Sequence, residues 1–73
     1  MIVVKRIKIK TEFITLGQFL KVADVVSSGG MAKAILQDYT IYVNDIKESR
    51  RGKKLYPGDK VHIKGIGDYR VEI

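Results

Sequence analysis

One histidine, eight carboxylates and no cysteine are the whole supply of acid, base and thiol chemistry in this 73-residue chain. His62 stands between Val61 and Ile63, so strand alternation turns it away from those apolar neighbours, where a surface histidine is the ordinary outcome. A metal needs several convergent ligands, yet the acids are dispersed and neither His-x-x-x-His nor Asp-x-Asp spacing occurs. Ser27 and Ser28 have no basic partner close in sequence, and serines in such a stretch ordinarily form turns or caps. Asp45, Asp59 and Asp68 fall in predicted turns, where Asp serves local hydrogen bonding. Without cysteine there is no disulfide and no thiolate nucleophile, which suits a reducing, cytoplasmic setting. The expectation is a protein that is not an enzyme and takes no metal, cofactor or small-molecule substrate.

Anion binding is the chemistry these residues do support. Gly29-Gly30 precede a helical stretch, and a helix N-terminus offers unpaired N–H donors and partial positive charge, with Lys33 one turn further on. Neither a phosphate-binding Gly-x-x-x-x-Gly-Lys loop nor a dinucleotide fingerprint is present, since Gly65-Ile66-Gly67 lacks the following helix and third glycine. The net charge of +6 is concentrated in two segments. Residues 1–10 hold Lys5, Arg6, Lys8 and Lys10 with no acid, and residues 47–54 hold Lys47, Arg50, Arg51, Lys53 and Lys54 against Glu48, so each carries +4. A polyanion is the natural partner, although lysines on an edge strand also guard against edge-to-edge pairing.

These residues need elements to position them. At 73 residues the chain is one small domain, too short for a deep active site, and it buries about 60% of its unfolded surface. Ile7 and Ile9 alternate with Arg6, Lys8 and Lys10, which predicts an edge strand over residues 2–10 with one buried and one basic face. The apolar run Met1–Val4 is far shorter than a signal peptide core or a membrane span, so secretion and membrane insertion are not expected. Leu16, Phe19, Leu20 and Ala23, widened by Val22 and Val26, follow helical spacing from a Thr15 cap that Gln18 completes as a capping box. Ser27-Ser28-Gly29-Gly30 is expected to stop that helix through left-handed glycines, with Ser28 capping a second, shorter helix over Met31, Ala32, Ala34, Ile35 and Leu36. Ala32 and Ala34 would let the helices approach closely.

Period two returns with Ile41 and Val43 opposite Thr40 and Tyr42, then a turn at Asn44-Asp45. Residues 47–54 follow neither period and read as a basic loop. Beyond a turn at Pro57-Gly58-Asp59, Val61 and Ile63, then Tyr69, Val71 and Ile73, form a C-terminal hairpin over 60–73 joined by Gly65-Ile66-Gly67-Asp68. The fold class is α+β: a helix-turn-helix pair on one face of a small mixed, mainly antiparallel sheet.

Leu16, Phe19-Leu20, Ser28, Ala32, Lys33, Ile35-Leu36, Ile41, Val43-Asn44, Gly58-Asp59 and Val61 together resemble the RNA-binding domain named after small-subunit ribosomal protein S-four, over about residues 15–63. The strings Ile14-Thr15-Leu16-Gly17-Gln18-Phe19-Leu20-Lys21, Ser28-Gly29-Gly30-Met31-Ala32-Lys33 and Arg50-Arg51-Gly52-Lys53-Lys54-Leu55 are similar to its small stand-alone bacterial members, the YaaA-like proteins. The resemblance implies an S-four-type, alpha-L-like RNA-binding fold for the single domain 1–73. It also implies a basic surface for structured RNA, either ribosomal RNA or a tRNA-like element, free or within a ribosome or ribosomal precursor. Carried onto this chain, the RNA-binding residues are Ser28, Gly29, Gly30, Lys33, Asn44, Arg50, Arg51, Lys53 and Lys54. Gly29 stands where an arginine commonly follows the serine, Thr15 and Gly17 replace a usual Arg and Asp, Tyr39 replaces a glycine, and Asp45 replaces the glycine after Asn. The loss of that arginine shifts the phosphate contact onto Lys33, Arg50 and Arg51.

RNA helices expose phosphates and 2′-hydroxyls while hiding base edges in a deep groove, so such a surface recognises shape first. Arg50 and Arg51 can bind phosphate bidentately, and Tyr42 and Tyr56 are candidate stacking platforms, although both suit partly buried sheet positions and Asn44 suits a turn. A monomer is expected. The rival reading is an adaptor that uses the same basic surface on an acidic protein partner in replication, repair or ribosome assembly.

Overall fold

Two short helices close one face of a sheet whose strands come from both ends of the chain, in a computed structural model that describes residues 3–73. The strands are β1 (Val4–Lys8), β2 (Ile14–Thr15), β3 (Ile41–Val43), β4 (Ile46–Lys47), β5 (Lys54–Leu55), β6 (Lys60–Ile63) and β7 (Gly67–Glu72), and the helices are α1 (Leu16–Val22) and α2 (Gly29–Asp38). The main sheet has the order β1-β7-β6-β3-β4, and β2 and β5 form a separate two-stranded ribbon. β1 lies at the edge, parallel to β7, and every other pairing is antiparallel, so the main sheet is mixed and mainly antiparallel, as expected. The expected edge strand therefore forms, over Val4–Lys8; of its predicted span, Ile2 lies outside the described residues.

Alternation decides the core. Ile41, Val43, Val61, Ile63, Tyr69 and Val71 turn inward and are buried with Leu16, Phe19, Leu20, Ala32 and Leu36 of the helices, and Ile9, Val26 and Leu55 complete the cluster. Phe19 meets Tyr69 edge to face at 5.6 Å, which ties α1 to β7. No buried side-chain polar atom lacks a partner among the described residues.

α1 starts as its capping box dictates: the Gln18 N–H donates to Thr15 Oγ1 and the Thr15 N–H to Gln18 Oε1. It stops earlier than expected. Asp24 adopts a left-handed φ of 61°, its N–H donates to the Lys21 carbonyl and that of Val25 to the Leu20 carbonyl, the paired bonds of a Schellman stop. The chain then folds back to bury Val26, and Val22 points to solvent instead of widening the apolar stripe. Gly29 and Gly30 do not stop α1: they open α2 in right-handed conformation, which makes α2 the longer helix. Ala32 faces the core as anticipated, whereas Ala34 is exposed.

Asn44 and Asp45 both take positive φ, 52° and 69°, and form the two-residue turn between β3 and β4. Gly58, at φ 98°, occupies the left-handed position of the turn after Pro57. The final hairpin turns over Lys64-Gly65-Ile66, and Gly67 and Asp68 already belong to β7. The ends of the segment expected to be all loop are strands β4 and β5, which leaves residues 48–53 as the loop proper.

Candidate nucleic-acid interface

The basic loop is held by backbone, not by its side chains. The first N–H groups of any helix lack intrahelical acceptors, and in α1 the loop supplies them: Leu16 N–H donates to the Lys53 carbonyl at 2.8 Å and Gly17 N–H to the Arg51 carbonyl at 3.0 Å. A Glu48 N–H bond to the Ile41 carbonyl, 2.8 Å, anchors the other end. This docking fills the N-terminus of α1 and carries the loop cations towards α2.

α2 presents its own N-terminus to solvent. Ser28 caps it by accepting from Met31 N–H, while the N–H groups of Gly29 and Gly30 donate to nothing among the described residues and both glycines are exposed. Lys33 and Gln37 on α2, with Ser49 and Arg51 on the loop, ring one depression of about 310 Å³ floored by Leu36. Lys33 and Arg51, separated widely in sequence, thus stand around a single hollow, and neither forms an ion pair within the described residues.

Arg50 behaves differently. Its Nε and Nη2 donate to the two oxygens of Glu48 at 3.0 Å each, and the same carboxylate accepts the N–H groups of Ser49 and Arg50. That fork, with the desolvation of a side chain only 10% exposed working against it, holds the Glu48 carboxyl down from 4.5 to about 2 and raises the Arg50 guanidinium above its usual value. Arg50, expected to bind RNA phosphate, thus has its charge compensated by an acid two residues away, whose role was not read from the sequence.

Lys53 and Lys54 border a second shallow depression with Arg50, Gly52 and Tyr56. There the Lys54 ammonium lies 4.9 Å from the centre of the Phe13 ring, and Phe13 packs on Tyr56 at 5.7 Å. Phe13 was missed because it belongs to no periodic segment; it arrives beside Lys54 only through the β2–β5 ribbon, in which Thr15 pairs with Lys54. Asn44 is drawn into structure: Nδ2 donates to Asp59 Oδ1 at 3.1 Å and Oδ1 accepts the Lys60 N–H at 3.0 Å, which pins the β3–β4 turn to the turn before β6. Tyr42 points away from the helices, beside His62 on the opposite face of the sheet, and so stands apart from the Lys33–Arg51 hollow. Among the described residues no group of three or more His, Asp or Glu is placed to hold a metal, and no helix is long and apolar enough to cross a membrane.

Comparison with known proteins matches residues 7–72 to the family model described as S4 domain. A relative from Bacillus subtilis (strain 168), described as "Probable ribosome maturation protein RlbA", is 58% identical over 65 residues, 89% of this chain and 92% of that protein.

Proposed function

The chain belongs to the S4 domain family, and from that membership we propose that it is a non-catalytic RNA-binding protein of ribosome maturation, acting in the cytoplasm on structured ribosomal RNA or its precursor particle. The observation that carries this reading is the meeting of Lys33 of α2 and Arg51 of the loop around one hollow. A phosphate seated there would meet two full positive charges, an arrangement suited to an RNA backbone, and the open N–H groups of Gly29 and Gly30, one turn before Lys33 on α2, offer a neighbouring phosphate further donors. Lys53 and Lys54 extend the positive surface along the loop, and Arg50 contributes its edge while its charge is balanced by Glu48. Shape and charge, rather than base identity, set the selectivity of such a surface.

The test is binding of the purified protein to ribosomal RNA fragments and to ribosomal particles, measured across a salt series. Replacing Lys33→Glu and Arg51→Glu together should weaken binding strongly and flatten the plot of log K against log salt by about 2, close to one unit per lost phosphate contact. Both side chains are exposed, so the variant should melt as the parent does. Unchanged affinity would remove the hollow from the interface, and an unaltered nuclease-protection pattern on every RNA would favour an acidic protein partner instead.

A further inference from the structure

The face of the main sheet turned away from the helices carries a charge pattern that folding alone does not explain. Its outward positions form rows across the strands. One row runs Arg6, Arg70, Lys60, with Arg6 paired to Arg70 and Arg70 to Lys60 in register. The adjacent row runs Val4, Asp68, His62, Tyr42, Lys47. Like charges directly opposite one another on neighbouring strands are destabilising, so three cations in successive strands oppose the pairing they sit on. The only relief recorded among the described residues is a loose contact from Arg6 to Glu72, 3.7 Å, on a guanidinium side chain that is 76% exposed; Arg70 and Lys60 have no ion pair.

Next to this row lies an aromatic shelf. The rings of Tyr42 and His62 are 5.9 Å apart and inclined at 31°. His62 Nδ1–H donates to Asp68, which fixes the imidazole orientation and leaves its outer edge to solvent. Arg6, Lys60 and Arg70 line the same open depression, about 490 Å³, with Tyr42 and His62, and its cations outnumber its two carboxylates, Asp45 and the His62-bonded Asp68. Cations alone would suit any polyanion. Cations in register beside a shelf of π-faces suit a strand whose bases are free to stack, and sheet-borne aromatics are a general means of holding unpaired nucleotides.

We propose that the outer sheet face is a second RNA contact, which takes an unpaired stretch of the bound RNA by stacking a base on Tyr42 and His62 while Arg6, Arg70 and Lys60 hold its phosphates. The proposal rests on the RNA-binding reading above and extends it, because the helix side then grips a folded element and the sheet face grips the single strand leaving it. Arg6 gains a role beyond guarding a sheet edge.

The experiment compares an RNA hairpin with the same hairpin bearing a single-stranded tail of about eight uridines, within the range that a small nucleic-acid-binding surface covers. The tail should tighten binding by about tenfold, the order expected of one stacked base. Tyr42→Leu with His62→Asn removes both rings while the asparagine amide stands where Nδ1 donates to Asp68, and should abolish the gain from the tail while leaving affinity for the bare hairpin unchanged. Arg70→Gln with Lys60→Gln should do the same and reduce the salt dependence of the tailed RNA only. Amide shifts in the intact protein give an independent reading: the tail should perturb residues 6, 42, 62 and 70, and the hairpin residues 30, 33 and 51. If the hairpin binds but the tail adds nothing, or its shifts fall only beside Lys33, the second contact is refuted while the helix-side reading stands. If neither RNA binds, both fail, and an acidic protein becomes the partner to seek.

Discussion

Glu48→Gln separates charge from structure at the loop, and its effects can be worked from the contacts. The carboxylate forks onto Arg50 at 3.0 Å through both oxygens and also accepts two backbone N–H groups. A glutamine retains one carbonyl oxygen for the N–H groups but loses the fork. Because the Arg50 side chain is 74% exposed, solvent screens the pair, and the variant should melt only slightly below the parent. RNA binding should move the other way. Freeing Arg50 adds one cation, which steepens the salt plot by about 0.9 and, with 1 M salt as the reference, tightens binding at 0.1 M salt by about eightfold. Anisotropy titrations over a salt series read both quantities, and Glu48→Gln with Arg50→Ala should return the slope to its original value. A folded Glu48→Gln protein whose affinity and slope are unchanged would refute the claim that Glu48 holds Arg50 back from phosphate.

The same ion pair predicts a pH response: the Glu48 carboxyl lies below its ordinary value, so its contribution is complete above pH 4.5 and is lost as pH falls through about 2, which carboxyl carbon shifts and acid melts would follow. Leu20→Ala should lower stability by about 2 to 5 kcal/mol, since Leu20 is fully buried between α1 and the sheet; a urea midpoint close to the parent value would contradict that packing. Asp24→Gly should raise stability by about 0.5 to 1 kcal/mol, because φ is 61° at this exposed stop and glycine adopts that conformation without a Cβ penalty; a lower thermal midpoint would count against the Schellman assignment.

Much of the architecture was legible wherever short-range rules act alone. The Thr15–Gln18 capping box, the inward and outward sides of β3 and β6, the exposed His62 and the left-handed turn at Asn44-Asp45 follow from periodicity and local hydrogen bonding. Where two local signals competed, the stronger-looking one misled. Ser27-Ser28-Gly29-Gly30 resembles a helix stop, yet the chain stops at Asp24, because turning there buries Val26 and leaves the glycines to begin α2.

Composition and spacing dictated the two helices, the four longer strands and the two concentrations of positive charge, but not the two-residue strands β2, β4 and β5. Which cations work together was decided by contacts between distant segments. Lys33 meets Arg51 because α1 uses loop carbonyls to satisfy its first N–H groups, Arg50 is compensated because its loop bends onto Glu48, and Arg6 joins Arg70 and Lys60 because β1 pairs in parallel with β7. Periodicity specifies only which way a side chain points along its own strand or helix; register and docking choose its neighbours, and those are settled by backbone hydrogen bonds between segments far apart in the chain.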